Sequence, residues 1–101
     1  MEARLIRQII PPKMRIRGWN GESVTWIVLE IDRKKVSITY SHGKVFVLLD
    51  MDFATKIEDL GQIHVPDALI DAVVVSRSSP SKPFVLNEYI PEISKLIGEG
   101  T

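Results

Sequence analysis

Cysteine is absent from this chain of 101 residues. Its absence removes disulfides, thiolate nucleophiles, Cys-based zinc sites and Cys-ligated iron–sulfur clusters in one step, and a reducing compartment fits. Histidine is scarce. His42 and His64 are the two, and neither has a carboxylate or a second imidazole at ligand spacing. The six glycines are scattered singly, so no phosphate-cradling loop is present. No serine sits in a Gly-x-Ser-x-Gly elbow. Long apolar runs are missing as well. The longest, Val45 to Leu49, falls far short of the roughly 20 residues of a membrane span. The first residues carry Glu2, Arg4 and Arg7 and do not read as a secretory signal. These absences imply no cofactor, no metal, no small-molecule substrate and no membrane, with the cytoplasm as the expected location.

What is present is ordinary in bulk and uneven in detail. Hydrophobic residues make up 45% and charged residues 26%, values of a globular chain. The length suits a single domain over 1–101 with one core. The net charge is zero, but residues 1–45 hold nine Lys/Arg against four Asp/Glu, and residues 46–101 hold four against nine. A split of that kind marks either a nucleic-acid surface or a head-to-tail partner surface.

Residues 1–13 read as an arm or a short helix, with Leu5, Ile9 and Ile10 on one face and Pro11-Pro12 as the stop. Asn20-Gly21 supplies the two positive-φ positions of a type I′ turn, so Met14–Trp19 and Glu22–Ile31 are expected to pair. That register sets Arg17 opposite Val24 and Arg15 opposite Trp26. Asp32 to Lys35 is a charged turn, Val36 to Tyr40 an alternating strand, and Ser41-His42-Gly43-Lys44 a second hairpin turn. Val45 to Leu49 is continuously apolar, as in a strand covered on both faces.

In the second half, Asp52 is placed to cap a helix carrying Phe53, Ile57 and Leu60, with Gly61 as its stop. Gln62 to Val65 reads as a brief strand. Pro66 opens a helix with Leu69, Ile70 and Val73 on one face, although Val73 to Val75 also suits a strand. Residues 76–82 form a mobile polar loop, Phe84 to Leu86 an edge strand, and Ile93, Leu96 and Ile97 the inner face of a last helix ended by Gly98. The fold class is therefore α+β: an N-terminal antiparallel β-meander of about four strands over 14–50, packed against short helices from the C-terminal half.

One sheet face gathers Arg15, Arg17, Trp19, Val24, Trp26 and Val28. Indole and guanidinium groups alternating on an open sheet stack on bases and pair with phosphates, and Arg33, Lys34, Lys35 and Lys44 on the turns would add phosphate contacts. Alternatively, this face is a second core face, with its arginines reaching the acidic half.

Two local patterns point elsewhere. Gly61-Gln62-Ile63-His64-Val65-Pro66-Asp67-Ala68-Leu69 resembles the Gly-x-Ile-x-Ile-Pro-x-x-Leu box of the swapped-hairpin, AbrB-like transcription regulators. That resemblance implies a strand running through Pro into a short helix, and two chains interleaved on DNA. Asp67 and Asp71 stand where that family often has basic residues. Val45 to Asp52, an apolar strand ending in Asp-x-Asp, looks like the first motif of haloacid-dehalogenase-like phosphatases. That likeness implies Asp50 as nucleophile and Asp52 as acid/base beside Mg²⁺. Without it, Asp50 ends a strand and Asp52 caps a helix.

The expectation is a small non-enzymatic binding or assembly module that acts through protein contacts and associates with itself. The alternative is a nucleic-acid-binding or regulatory protein using Arg15, Arg17, Trp19, Trp26, Arg33, Lys34, Lys35 and Lys44. A phosphoryl-transfer enzyme built on Asp50 and Asp52 ranks third.

Overall fold

A computed structural model describes residues 1–11, 23–41, 43–49, 56–78 and 83–98. Five strands, β1 (Glu2–Ile9), β2 (Ser23–Ile31), β3 (Lys34–Ser41), β4 (Lys44–Leu49) and β5 (Lys56–His64), precede α1 (Asp67–Ser78), a 3₁₀ segment (Pro83–Tyr89) and α2 (Ile90–Ile97). The strands form one antiparallel sheet in the order β4-β3-β2-β1-β5, with the helices following in the C-terminal half. This is the expected α+β class.

Turn chemistry fixes half of the register. Ile31 pairs with Lys34 across Asp32-Arg33, both of which have positive φ, 51° and 67°. Two consecutive positive-φ residues match the twist of a tight hairpin. Ser41 pairs with Lys44 across a turn holding Gly43 at φ 78°. Positions 12–22 lie outside the described residues, and with them the Asn20-Gly21 hairpin and the strand expected over Met14–Trp19.

The largest correction concerns the N-terminus. Residues 2–9 form neither helix nor free arm but an inner strand, paired on one side with β2 and on the other with β5. Leu5 and Ile9 do share a helical spacing. However, Ala3, Ile6, Gln8 and Ile10 are buried alongside half-buried Leu5 and Ile9. A strand used on both faces carries apolar residues at neighbouring positions, and that pattern mimics a short helix. On the β1 side, Val24 and Trp26 take Gln8 and Ile6 as partners.

A second correction falls on residues 56–64. The expected helix through Ile57 and Leu60 is strand β5. Its apparent helical spacing recorded no burial, since Ile57 and Leu60 are 46% and 38% exposed. Gly61, at φ 100°, stops no helix. It sits at a register shift opposite Leu5/Ile6, a β-bulge that uses its positive φ. Val65 extends the pairing by one step, donating its N–H to the Met1 carbonyl at 2.8 Å.

The helices hold fewer surprises. The Pro66 carbonyl accepts from the Leu69 and Ile70 N–H groups at 3.0 and 3.2 Å and starts α1. The helix continues through Val73–Val75 and on to Ser78, so residues 76–78 are helical and not loop. Phe84–Leu86 belongs to the 3₁₀ segment, not to a strand. The α2 helix ends at Gly98 in the left-handed conformation, which donates to the Lys95 carbonyl at 3.2 Å. Among the described residues, no helix is long and apolar enough to cross a membrane.

Both faces of the sheet are apolar. Ala3, Ile27, Leu29, Ile31, Val36 and Ile38 meet Leu69, Val73, Leu86, Ile93 and Ile97 from the helical side. The opposite face carries a second cluster of Ile6, Ile10, Val24 and Trp26, with Val28, Phe46 and Leu48 packed against it. Ser37 and Thr39, the β3 residues between β2 and β4 on that face, are small and buried. Thr39 Oγ1 donates to the Thr25 carbonyl at 2.7 Å.

Trp26 and Gln8 are each fully buried, and the indole Nε1–H donates to Gln8 Oε1 at 3.0 Å. Gln8→Leu leaves that donor without its acceptor and is expected to cost about 1–3 kcal/mol in chemical denaturation. Trp26→Phe should cost less in the Gln8→Leu background than in the native one. Strictly additive losses would show that the bond contributes nothing.

Candidate functional site

Three regions of the fold carry exposed chemistry: the basic turns, a groove over β1 and β2, and the two edges of the sheet.

Among the described residues, the basic residues proposed from sequence do not form one surface. Arg15, Arg17 and Trp19 lie outside the described residues. Trp26 is completely buried with its N–H satisfied, so it offers no open ring for a base to stack on. Arg33, Lys34 and Lys35 are exposed at the β2–β3 turn. Lys44 is exposed at the other end of β3. Seven residue steps separate Lys34 from Ser41, about 24 Å at the usual strand rise. Three clustered cations and one distant one therefore remain.

The second region is a groove of about 410 Å³ on the Trp26 side of the sheet. Ile6, Val28 and Ile57 contribute its apolar surface, and Glu2, Glu30, Arg4, Lys35 and Gln62 supply its polar atoms. Sequence reasoning missed it, because it exists only once β1 lies between β2 and β5. Charges of both signs lie along β1 and β5 and are matched locally. On the groove side Arg4 meets Asp59 at 3.1 Å and His64 Nδ1 lies 3.1 Å from Glu2, and on the other face Arg7 meets Glu58 at 3.4 Å. The Gly61 backbone N–H, 2.8 Å away, holds the Asp59 carboxyl below its ordinary value against an opposing influence of desolvation, and the Arg4 guanidinium adds to the lowering. All of these carboxylates are solvent-exposed, so the pairs align β5 on β1 more than they stabilise it.

Among the described residues, no group of three or more His, Asp or Glu side chains is gathered for a metal ion. Asp50, Asp52 and His42 lie outside the described residues. His64 is exposed on β5, beside Glu2. The Gly61–Leu69 stretch does run as strand, Pro66 and helix, a local junction in which the strand pairs with β1 of its own chain.

The third region is the pair of sheet edges, and they differ. On β5, every side chain from Lys56 to Leu60 is exposed, Gly61 introduces a bulge, and Lys56, Glu58, Asp59 and His64 are spread along the strand. Bulges and charges of this sort block further strand pairing. On β4, Val45 to Leu49 holds no charge and no proline, and its register against β3 is unbroken. Among the described residues, β3 is the only strand paired with it. The sequence suggested a strand covered on both faces. Both faces do pack, Val45 and Val47 on the helical cluster and Phe46 and Leu48 on the Trp26 cluster, but Val45 to Leu48 are only half-buried and Leu49 is 51% exposed at the rim.

Comparison with known proteins adds no relative: no family model, no curated protein and no solved structure matches the chain.

Two measurements follow from these regions. Asp59 has a depressed pKa, so its contribution to stability is present above the ordinary carboxylate value near 3.8 and fades as pH falls through its lower folded value. Asp59→Asn should flatten the acid limb of a melting-temperature profile and leave the profile above about pH 5 parallel to the native one. Arg33 holds a positive φ without being Gly or Asn, which costs a side chain about 1 kcal/mol. Arg33→Gly should therefore raise stability by about 0.5–1 kcal/mol, and a lower melting temperature would show that the arginine side chain makes a stabilising contact.

Proposed function

We propose that this protein is a small non-enzymatic binding and assembly module that works through protein–protein contacts and associates with itself. One observation carries the reading: the contrast between the two sheet edges. A row of five consecutive apolar residues on an edge strand is a template for another strand, and β-strand addition is a common mode of recognition in which main-chain hydrogen bonds supply the affinity. The bulged, charged β5 edge is poorly suited to that role. Zero net charge supports self-association too, because two copies meet without overall repulsion.

Nucleic-acid contact is the second reading. What supports it is the trio Arg33, Lys34 and Lys35, exposed together on one turn. Its weak point is the loss of Trp26 as a stacking platform, and zero net charge adds nothing to it.

Light scattering coupled to chromatography over rising protein concentration tests the first reading. The mass should climb from monomer towards dimer, and Leu49→Lys, at an already exposed position, should raise the dissociation constant at least about tenfold, equivalent to roughly 1.4 kcal/mol. A strict monomer at every concentration removes self-association. Oligonucleotide binding that is lost on raising the salt or on Lys34→Ala with Arg33→Ala would move the second reading ahead.

A further inference from the structure

Building on the assembly reading above, we infer that the partner on the β4 edge is a second copy of the same strand, paired antiparallel about a two-fold axis through Val47.

The faces of β4 restrict the possible registers. Val45 and Val47 pack towards the helical cluster, whereas Phe46 and Leu48 pack towards the Trp26 cluster. Leu49, next in the alternation, belongs with Val45 and Val47. A two-fold axis perpendicular to the sheet keeps the helices of both copies on the same side. Residues opposite one another must then come from the same face, so the axis passes through a residue and not between two.

Three centres lie within reach. Centring on Phe46 sets Lys44 against the partner's Leu48 and leaves Leu49 uncovered. Centring on Leu48 leaves Val45 and Phe46 outside the paired stretch of β4. Centring on Val47 sets Val47 against the partner's Val47, Phe46 against the partner's Leu48 and Val45 against the partner's Leu49. Every pair is apolar, and the most exposed apolar side chain among the described residues, Leu49 at 51%, is covered. The two Lys44 side chains then stand at opposite ends of the seam, about 20 Å apart and beyond the screening length at physiological salt.

Two further observations fit this occupant. A cavity of about 230 Å³ lies beside Val45 and Val47, walled by Ser76, Leu86 and Asn87, so there is space on the helical side where the partner's valines would arrive. Joining β4 to β5 of another copy would instead set the apolar edge against Glu58, Asp59 and the Gly61 bulge, and would generate open-ended chains. The seam is short and belongs to the small class of interfaces, so the dimer is concentration-dependent and not obligate.

The native chain has no cysteine, so single-cysteine variants report cleanly. Residues directly opposite in an antiparallel pair have Cα atoms about 4.5–5.5 Å apart, within the range a disulfide spans. Val47→Cys should therefore form a covalent dimer under mild oxidation. Leu49→Cys alone should not, because the two copies of position 49 fall about 13 Å apart along the seam. The double variant Val45→Cys with Leu49→Cys should crosslink again. The expected result is dimer formation more than about tenfold faster for Val47→Cys than for Leu49→Cys, although position 49 is the more exposed. Circular dichroism on the reduced variants checks that each is folded.

Crosslinking that follows exposure, with Leu49→Cys faster, overturns the register. If native protein dimerises by light scattering and a folded Val47→Cys does not crosslink, the axis is wrong while the assembly reading stands. A native protein that stays monomeric and a Val47→Cys variant that does not crosslink remove both.

Discussion

Trp26 occupies the face of the sheet turned away from the helices, and its indole N–H is satisfied by Gln8 on the neighbouring strand. A buried indole needs an acceptor as well as apolar company, and β1 brings both, with Gln8 for the N–H and Ile6 and Ile10 for the ring. That requirement explains why the N-terminal residues are drawn into the middle of the sheet. Once β1 lies beside β2, its far side needs a partner for its own N–H and C=O groups, and β5 supplies it. The β1–β5 side of the sheet, the bulge at Gly61 and the groove over β1 and β2 all follow from placing β1 beside Trp26.

The charge division between the two halves of the chain takes on a structural meaning in the same way. Arg4 and Arg7 belong to the basic half, and Asp59 and Glu58 to the acidic half. Both pairs bridge β1 and β5. Part of what reads as two opposed surfaces is thus neutralised within one strand pair. Exposed ion pairs contribute about 0–1 kcal/mol each, so their effect lies in alignment. A one-residue slip would separate both pairs and turn the strand's side chains to the wrong faces. The bulge already absorbs one offset in this pairing, and Asp59, bonded to the Gly61 N–H as well as to Arg4, ties the bulge to the register. Among the described residues of the positive half, Arg33, Lys34, Lys35 and Lys44 are the other exposed cations.

Legibility from sequence followed how local each signal was. The β3 and β4 strands, the Gly43 turn and α2 with its Gly98 cap were all readable, because turn residues and short periodicities specify them within a few positions. The α+β class followed from those. Where a partner distant in sequence decides the structure, the reading failed. Glu2–Ile9 and Lys56–His64 are strands because they pair with each other across more than fifty positions, and nothing within either window records that. In β1, neighbouring apolar residues imitated a helical face. In β5, Ile57 and Leu60 imitated one while facing solvent. The site follows the same rule: the sequence leaves the Arg/Trp face either open or a second core face, Trp26 proves to be core, and the groove depends on β1 and β5 lying side by side, which no local window records.

The apolar character of β4 follows from its place in the fold. Edge strands are ordinarily protected by a charge pointing inward or along the rim. Here Val45 and Val47 contribute to the helical core, while Phe46 and Leu48 contribute to the cluster around Trp26. Val45 to Leu48 are each committed to one core or the other, so none of these four positions can take a charge without loosening a face. The β5 edge carries no such burden. Its side chains from Lys56 to Leu60 are exposed, which leaves room for Glu58, Asp59 and a bulge. Among the described residues, a two-faced sheet with helices on one side thus places its uncharged, unbulged edge at β4 and its charged, bulged edge at β5.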